Sequence, residues 1–148
     1  MSASLEEEEE KLQQIEVYKG HVRRTWTLAA LGPPAAALFY RHLFETAPQV
    51  VALFHGVDMS QQGDMLLNMI GEAVKLIGQP KLEAVLKAVG RRHSKYGVEE
   101  SMYGLVGAAL LWTLEQGLGK EWTGEVKEAW TWAYGLMSST MIQGAQDC

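Results

Sequence analysis

Apolar residues recur along this chain three and four positions apart, and no stretch alternates polar with apolar for long. That spacing gathers side chains on one side of an α-helix and predicts an all-α protein. A first helix is expected over 16–31, with Val22, Trp26 and Ala29 on one stripe. Gly32-Pro33-Pro34 ends it and opens a second, because proline suits the first helical turn. The second runs to Thr46 with Ala36, Tyr40, Leu43 and Phe44 on one face, and Pro48 begins a short turn ending at Leu53-Phe54. After a loop over 55–59, Ser60 is a suitable N-cap for a helix to Ile77, which Gly78-Gln79-Pro80 breaks. The next helix repeats Leu82, Leu86, Val89 and His93 on one face and stops at Gly97. Ser101 caps a long helix with Met102, Leu105, Val106, Ala109 and Leu110 inside, closed by Gly117 and Gly119. Thr123 caps the last, whose stripe is Val126, Trp130, Ala133, Met137 and Met141. The expectation is six to seven helices and no hairpin, since neither Asn-Gly nor Asp-Gly occurs.

Composition narrows the picture. A chain of 148 residues with 47% hydrophobic and 21% charged residues fits one globular domain. The formal charge of −5 has one source, the run Glu6 to Glu10; outside it 13 acids balance 13 Lys and Arg. Residues 1–12 therefore read as an acidic, solvated tail or frayed helix start, and 13–148 as the domain. A body without basic excess argues against nucleic acid. The apolar runs, such as 108–112, are too short to span a bilayer, so no membrane association is expected. The sole cysteine, Cys148, leaves no internal disulfide and no thiolate metal site, which suits a reducing, cytoplasmic setting. A monomer or homodimer is expected.

Few residues offer chemistry. His21 and His42 sit among charged neighbours on faces expected to be exposed, and His55 lies in a loop. His93 alone ends an apolar stripe, where it is either a satisfied core histidine or a ligand. Gln61, Met65 and Met69 fall on one side of their helix, as a core stripe or a pocket wall. Tyr40, if buried, needs a partner for its hydroxyl. No phosphate loop, nucleophilic triad or His-Glu-x-x-His motif is present.

Taken together, these segments resemble a known family. Phe39-Tyr40-Arg41-His42-Leu43-Phe44, then Pro48 and Leu53-Phe54, resembles the second and third helices of globins. Gly90-Arg91-Arg92-His93-Ser94-Lys95-Tyr96-Gly97-Val98 resembles their segment with the haem-binding histidine. Tyr103, Leu105-Val106-Gly107 and Leu110-Leu111 look like the start of the seventh globin helix, and Ala129-Trp130 with Ala133-Tyr134-Gly135 like the last. Over about 16–143 the chain is similar to bacterial single-domain haemoglobins and to the globin domain of flavohaemoglobins.

The resemblance implies a globin fold around haem b (iron protoporphyrin IX), with His93 as the proximal iron ligand and Phe54 stacked on the porphyrin. It implies Tyr40 and Gln61 as the distal pair that meets the gas ligand. Met65 would lie one turn on from Gln61, in a place often held by Leu. An ungapped match from Met65 to His93 favours Gln61 over Gln62. Tyr103 and Tyr134 match tyrosines near the proximal pocket, and Arg92 is either a propionate partner or a solvated cation. The glutamate that pairs with the proximal histidine in flavohaemoglobins has no counterpart, since 143–146 reads Gln-Gly-Ala-Gln. A five-coordinate ferrous iron that binds O2, CO and NO is implied, for oxygen binding, transport or storage. The alternative is nitric oxide dioxygenation dependent on a separate reductase. A sensor role ranks last, because no output domain is expected in this length.

Overall fold

The structure, a computed structural model, describes residues 2–29 and 31–147, so Cys148 lies outside it. Its α-helices are α1 (Ser2–Ala29), α2 (Pro33–Thr46), α3 (Met59–Leu76), α4 (Lys81–Lys95), α5 (Glu100–Leu118) and α6 (Gly124–Gln146). Short 3-10 helices cover Pro48–Phe54 and Gly119–Glu121, and the described residues form no strand. The all-α expectation holds.

Three boundaries differ from expectation. α1 begins at Ser2 rather than near Glu16, and the acidic run is its exposed first part; glutamate is a good helix former when nothing packs against it. Asp58 rather than Ser60 caps α3, its Oδ1 accepting from the Ser60 and Gln61 amides at 3.0 and 3.2 Å. A carboxylate there also meets the positive end of the helix dipole. Glu99 rather than Ser101 is the N-cap residue of α5. Thr123 caps α6 as expected, accepting from the Val126 amide at 3.2 Å. Gly97, with φ +95°, ends the α4 segment in a conformation that β-carbon-bearing residues rarely adopt.

The α6 stripe of Val126, Trp130, Ala133, Met137 and Met141 is buried throughout. It meets α4 backbone to backbone. A Cβ added to Gly90 would overlap the Met141 carbonyl, and one added to Gly144 would overlap that of Lys87. The two helices are that close only because neither position carries a side chain. On the α1 side, the indole N–H of Trp130 donates to Thr25 Oγ1 at 2.8 Å, and Thr25 donates to the His21 carbonyl at 2.6 Å. Trp130 and Thr25 are both 0% exposed, so each polar atom depends on the other.

Thr25→Val is therefore expected to lower the unfolding free energy by about 1–3 kcal/mol, because it strands a buried indole N–H. Adding Trp130→Phe to it should cost less than the two single changes summed. Urea unfolding followed by circular dichroism measures this; an unchanged midpoint in Thr25→Val would contradict the role.

Candidate functional site: an oriented histidine, a buried tyrosine and an apolar cavity

The stripe on α4 buries as expected: Leu82, Leu86 and Val89 are core, and His93 is partly buried at its end. His93 Nδ1 lies 2.8 Å from the Val89 carbonyl oxygen. A carbonyl only accepts, so Nδ1 carries the proton and Nε2 keeps its lone pair. Burial lowers the imidazole pKa; the carbonyl bond raises it part way back, and the Arg92 charge lowers it further. A neutral ring with a free Nε2 is what metal ligation requires.

On α2, Tyr40 is 6% exposed. Phe39, Phe44 and Phe54 surround it, with ring centroids 4.9, 5.9 and 5.4 Å away. Gln62 Nε2 donates to the Tyr40 hydroxyl at 3.1 Å. Burial pushes the phenol pKa above its ordinary value, and the Gln62 bond opposes that in part. The hydroxyl stays protonated at neutral pH, and its own proton remains available to a further acceptor.

The glutamine register differs from expectation by one residue. Gln62 faces Tyr40, whereas Gln61 is exposed. Met65, in the same row as Gln61, is 58% exposed, and Leu66, in the row of Gln62, packs on the core. Gly63 explains the shift. It is buried against α2, where an added Cβ would stand 3.0 Å from that of Ala36. Seating Gly63 there turns its predecessor toward Tyr40. A glycine inside an amphipathic helix is a signal for such a contact, and the ungapped match gave it no weight.

Between α3 and α4 lies a cavity of about 270 Å³, lined by Asn68, Met69, Glu72, Ala73, Leu82, Val85, Leu86, Val89 and Arg92. Met69, Leu82, Leu86 and Val89 form its apolar wall, and neither His93 nor Tyr40 is among its lining residues. Phe54 instead packs on Tyr40 and Phe44. Arg92 is exposed at its edge, where it suits a carboxylate reaching out of an apolar slot. Tyr103 is buried, and its carbonyl accepts the Tyr134 hydroxyl at 2.6 Å. Burial raises both tyrosine pKa values, Tyr134 the more strongly because it is the more deeply buried, with a smaller addition from Tyr103. His42 is not on an open face: its ring stacks on Trp112 at 3.8 Å, within 3° of parallel. His21 is half-buried, 3.1 Å from Arg24. A cavity of similar size on α5 and α6, lined by Trp112, Glu115, Trp122 and Lys127 among others, holds none of the expected site residues.

The donor set fits haem. Among the described residues, no group of three His, Cys, Asp or Glu could hold a bare ion. His93 offers a single nitrogen donor, which is what one axial position of a haem iron takes. The cavity between α3 and α4 has a mostly apolar wall, with Arg92 at its edge.

Comparison with known proteins agrees. The Globin family model matches residues 37–141. The chain is 27% identical over 138 residues to a neuroglobin of Chaenocephalus aceratus, covering 83% of this chain and 87% of that one. It is 29% identical over 106 residues to a flavohemoprotein of Rhizobium meliloti (strain 1021), covering 70% of this chain but only 26% of the relative. A hexacoordinated heme protein from an anhydrobiotic tardigrade superposes with a TM-score of 0.79 at 17% identity, over 87% of this chain and 93% of that one. A Pseudomonas aeruginosa PAO1 protein described as structurally highly homologous to a human hemoglobin gives 0.77 at 23%, over 86% and 98%. The chain belongs to the globin family, and haem-based gas binding is the general function its pocket serves.

Proposed function

We propose that this globin binds O2 reversibly on haem b, with His93 as the single protein ligand and Tyr40 as donor to the bound gas. The observation that carries the reading is the Gln62–Tyr40 hydrogen bond at 3.1 Å. Gln62 occupies the lone pair of the phenol oxygen and so leaves the phenol proton free for the ligand. Haem supplies an iron that takes O2, CO or NO. Tyr40 then discriminates, because O2 gains negative character on binding and CO stays nearly neutral. A hydrogen bond to a charged acceptor contributes about 1.5–3 kcal/mol, roughly one to two decades in dissociation. His93 would hold the iron through Nε2 as a neutral ring, its Nδ1 proton on a backbone carbonyl rather than on a carboxylate. The last acid of the described chain, Asp147, lies 3.7 Å from Lys87 and is engaged there. The absence of a carboxylate push favours reversible binding over peroxide chemistry. No protein group is assigned to the sixth iron position, since the residue facing Tyr40 is an amide. Among the described residues, no helix is long and apolar enough to cross a membrane, and we place the protein in the cytoplasm.

Tyr40→Phe is expected to speed O2 dissociation roughly ten- to a hundredfold while leaving CO dissociation near the parent value. Gln62→Leu should speed O2 dissociation as well, because the phenol loses its tether. Gln61→Leu should change it by less than about twofold, as at an ordinary exposed position. Stopped-flow dissociation of both gases reads all three. Equal changes for O2 and CO in Tyr40→Phe would show that Tyr40 acts by volume rather than donation.

The similarity to flavohemoproteins favours a second reading for the same pocket, the conversion of NO and O2 to nitrate. The balance is one NO, one O2 and one electron per nitrate, so turnover needs a donor. We infer that the donor is a separate reductase. NO consumption with NADH alone should stop after one equivalent and should continue once a reductase is added. Sustained turnover with NADH and no second protein would defeat the separate-donor reading.

A further inference from the structure

The last turn of α4 is not used up by holding His93. Arg91, Arg92 and Lys95 are exposed there, and Tyr96 is 76% exposed. Among the described residues, no salt bridge engages any of the three cations. The next acids, Glu99 and Glu100, belong to the N-terminal end of α5, where they meet its dipole. The α4 dipole welcomes cations at this end, but it gives no reason to leave an aromatic ring in water. Tyr96 is nevertheless held out by an ordered cap: its amide donates to the Arg92 and His93 carbonyls at 3.2 and 3.1 Å. Arg and Tyr are the residue types that anchor protein interfaces. Arg92 lines the cavity between α3 and α4 and stands next to His93 in the chain, so this basic turn borders that cavity.

We propose that Arg91, Lys95 and Tyr96 form the docking surface for an acidic one-electron donor protein. The inference rests on the reading above that electrons come from a separate protein. One electron leaves the donor's reduced flavin or iron–sulfur centre and converts ferric iron to ferrous; no bond is made or broken in this chain. Opposite charge steers the donor to the turn, and Tyr96 supplies the apolar contact at its centre. The acidic first part of α1, Glu6 to Glu10, repels the same partner and directs it elsewhere on the molecule.

The test mixes the ferric holoprotein in a stopped-flow instrument with a reduced flavodoxin, and separately with a reduced [2Fe–2S] ferredoxin, both acidic. With at least one donor, the second-order rate should fall about tenfold or more between about 20 mM and about 300 mM salt. Arg91→Glu with Lys95→Glu should lower the low-salt rate by at least about tenfold. Lys11→Glu with Lys120→Glu, the same charge change elsewhere, should leave it within about twofold. Tyr96→Ala should weaken the complex, read independently of electron transfer by chemical-shift mapping of the donor's amides on titration with the ferric protein. Dithionite reduction under CO separates the two readings. If it yields no ferrous CO spectrum, the haem reading fails. If it does, and the charge-reversed variant matches the parent with both donors, the docking surface is refuted.

Discussion

The crossing of α4 and α6 is the constraint on which the pocket depends. At Gly90 and Gly144 each helix lies on the carbonyl backbone of the other, with no side chain between them. Gly90 stands one turn before His93, so the crossing fixes both the height and the rotation of the histidine. An alanine at either glycine would force the helices apart; overpacking of this kind costs about 1–3 kcal/mol. α6 is itself tied to α1 through the buried Trp130–Thr25 bond, which carries the constraint across the domain.

The histidine and the tyrosine handle polarity differently. At His93, one backbone carbonyl orients the imidazole. A carbonyl cannot ionise, so it gives the ring a weaker hydrogen-bond acceptor than a carboxylate would. At Tyr40, two side chains share a single hydrogen bond inside a ring of phenylalanines. Burial keeps the phenol protonated. Apolar walls strengthen that bond, and they also make an unsatisfied hydroxyl costly. Both the histidine and the tyrosine are thus held as neutral groups.

Much of this was legible in the sequence. The α4 and α6 stripes are read from spacing alone, because 3.6-residue periodicity survives whatever packs against it; spacing left His93 and Tyr40 open between core packing and a site, and only the resemblance to globins singled them out. The glutamine register was not legible from counting. It is set by a contact between Gly63 on α3 and Ala36 on α2, a tertiary fact that gaps in a loop can shift by a residue. The caps failed for a local reason: Asp58 and Ser60 are both good N-caps, and two residues separate them. The stacking of His42 on Trp112 was hidden because it joins residues far apart in the chain, a histidine beside Arg41 on α2 and a tryptophan in an apolar run of α5.

The most direct test of the account is resonance Raman spectroscopy of the ferrous protein without added gas. A five-coordinate, high-spin spectrum is expected, with an iron–histidine stretch. Its frequency should lie below that of a haem protein whose proximal histidine donates to a carboxylate, because the Val89 carbonyl pulls less on the Nδ1 proton. In His93→Gly that band should vanish and return as an iron–imidazole stretch when imidazole is added. A low-spin, six-coordinate ferrous spectrum, or a band unchanged in His93→Gly, would contradict the single-ligand, open-sided pocket.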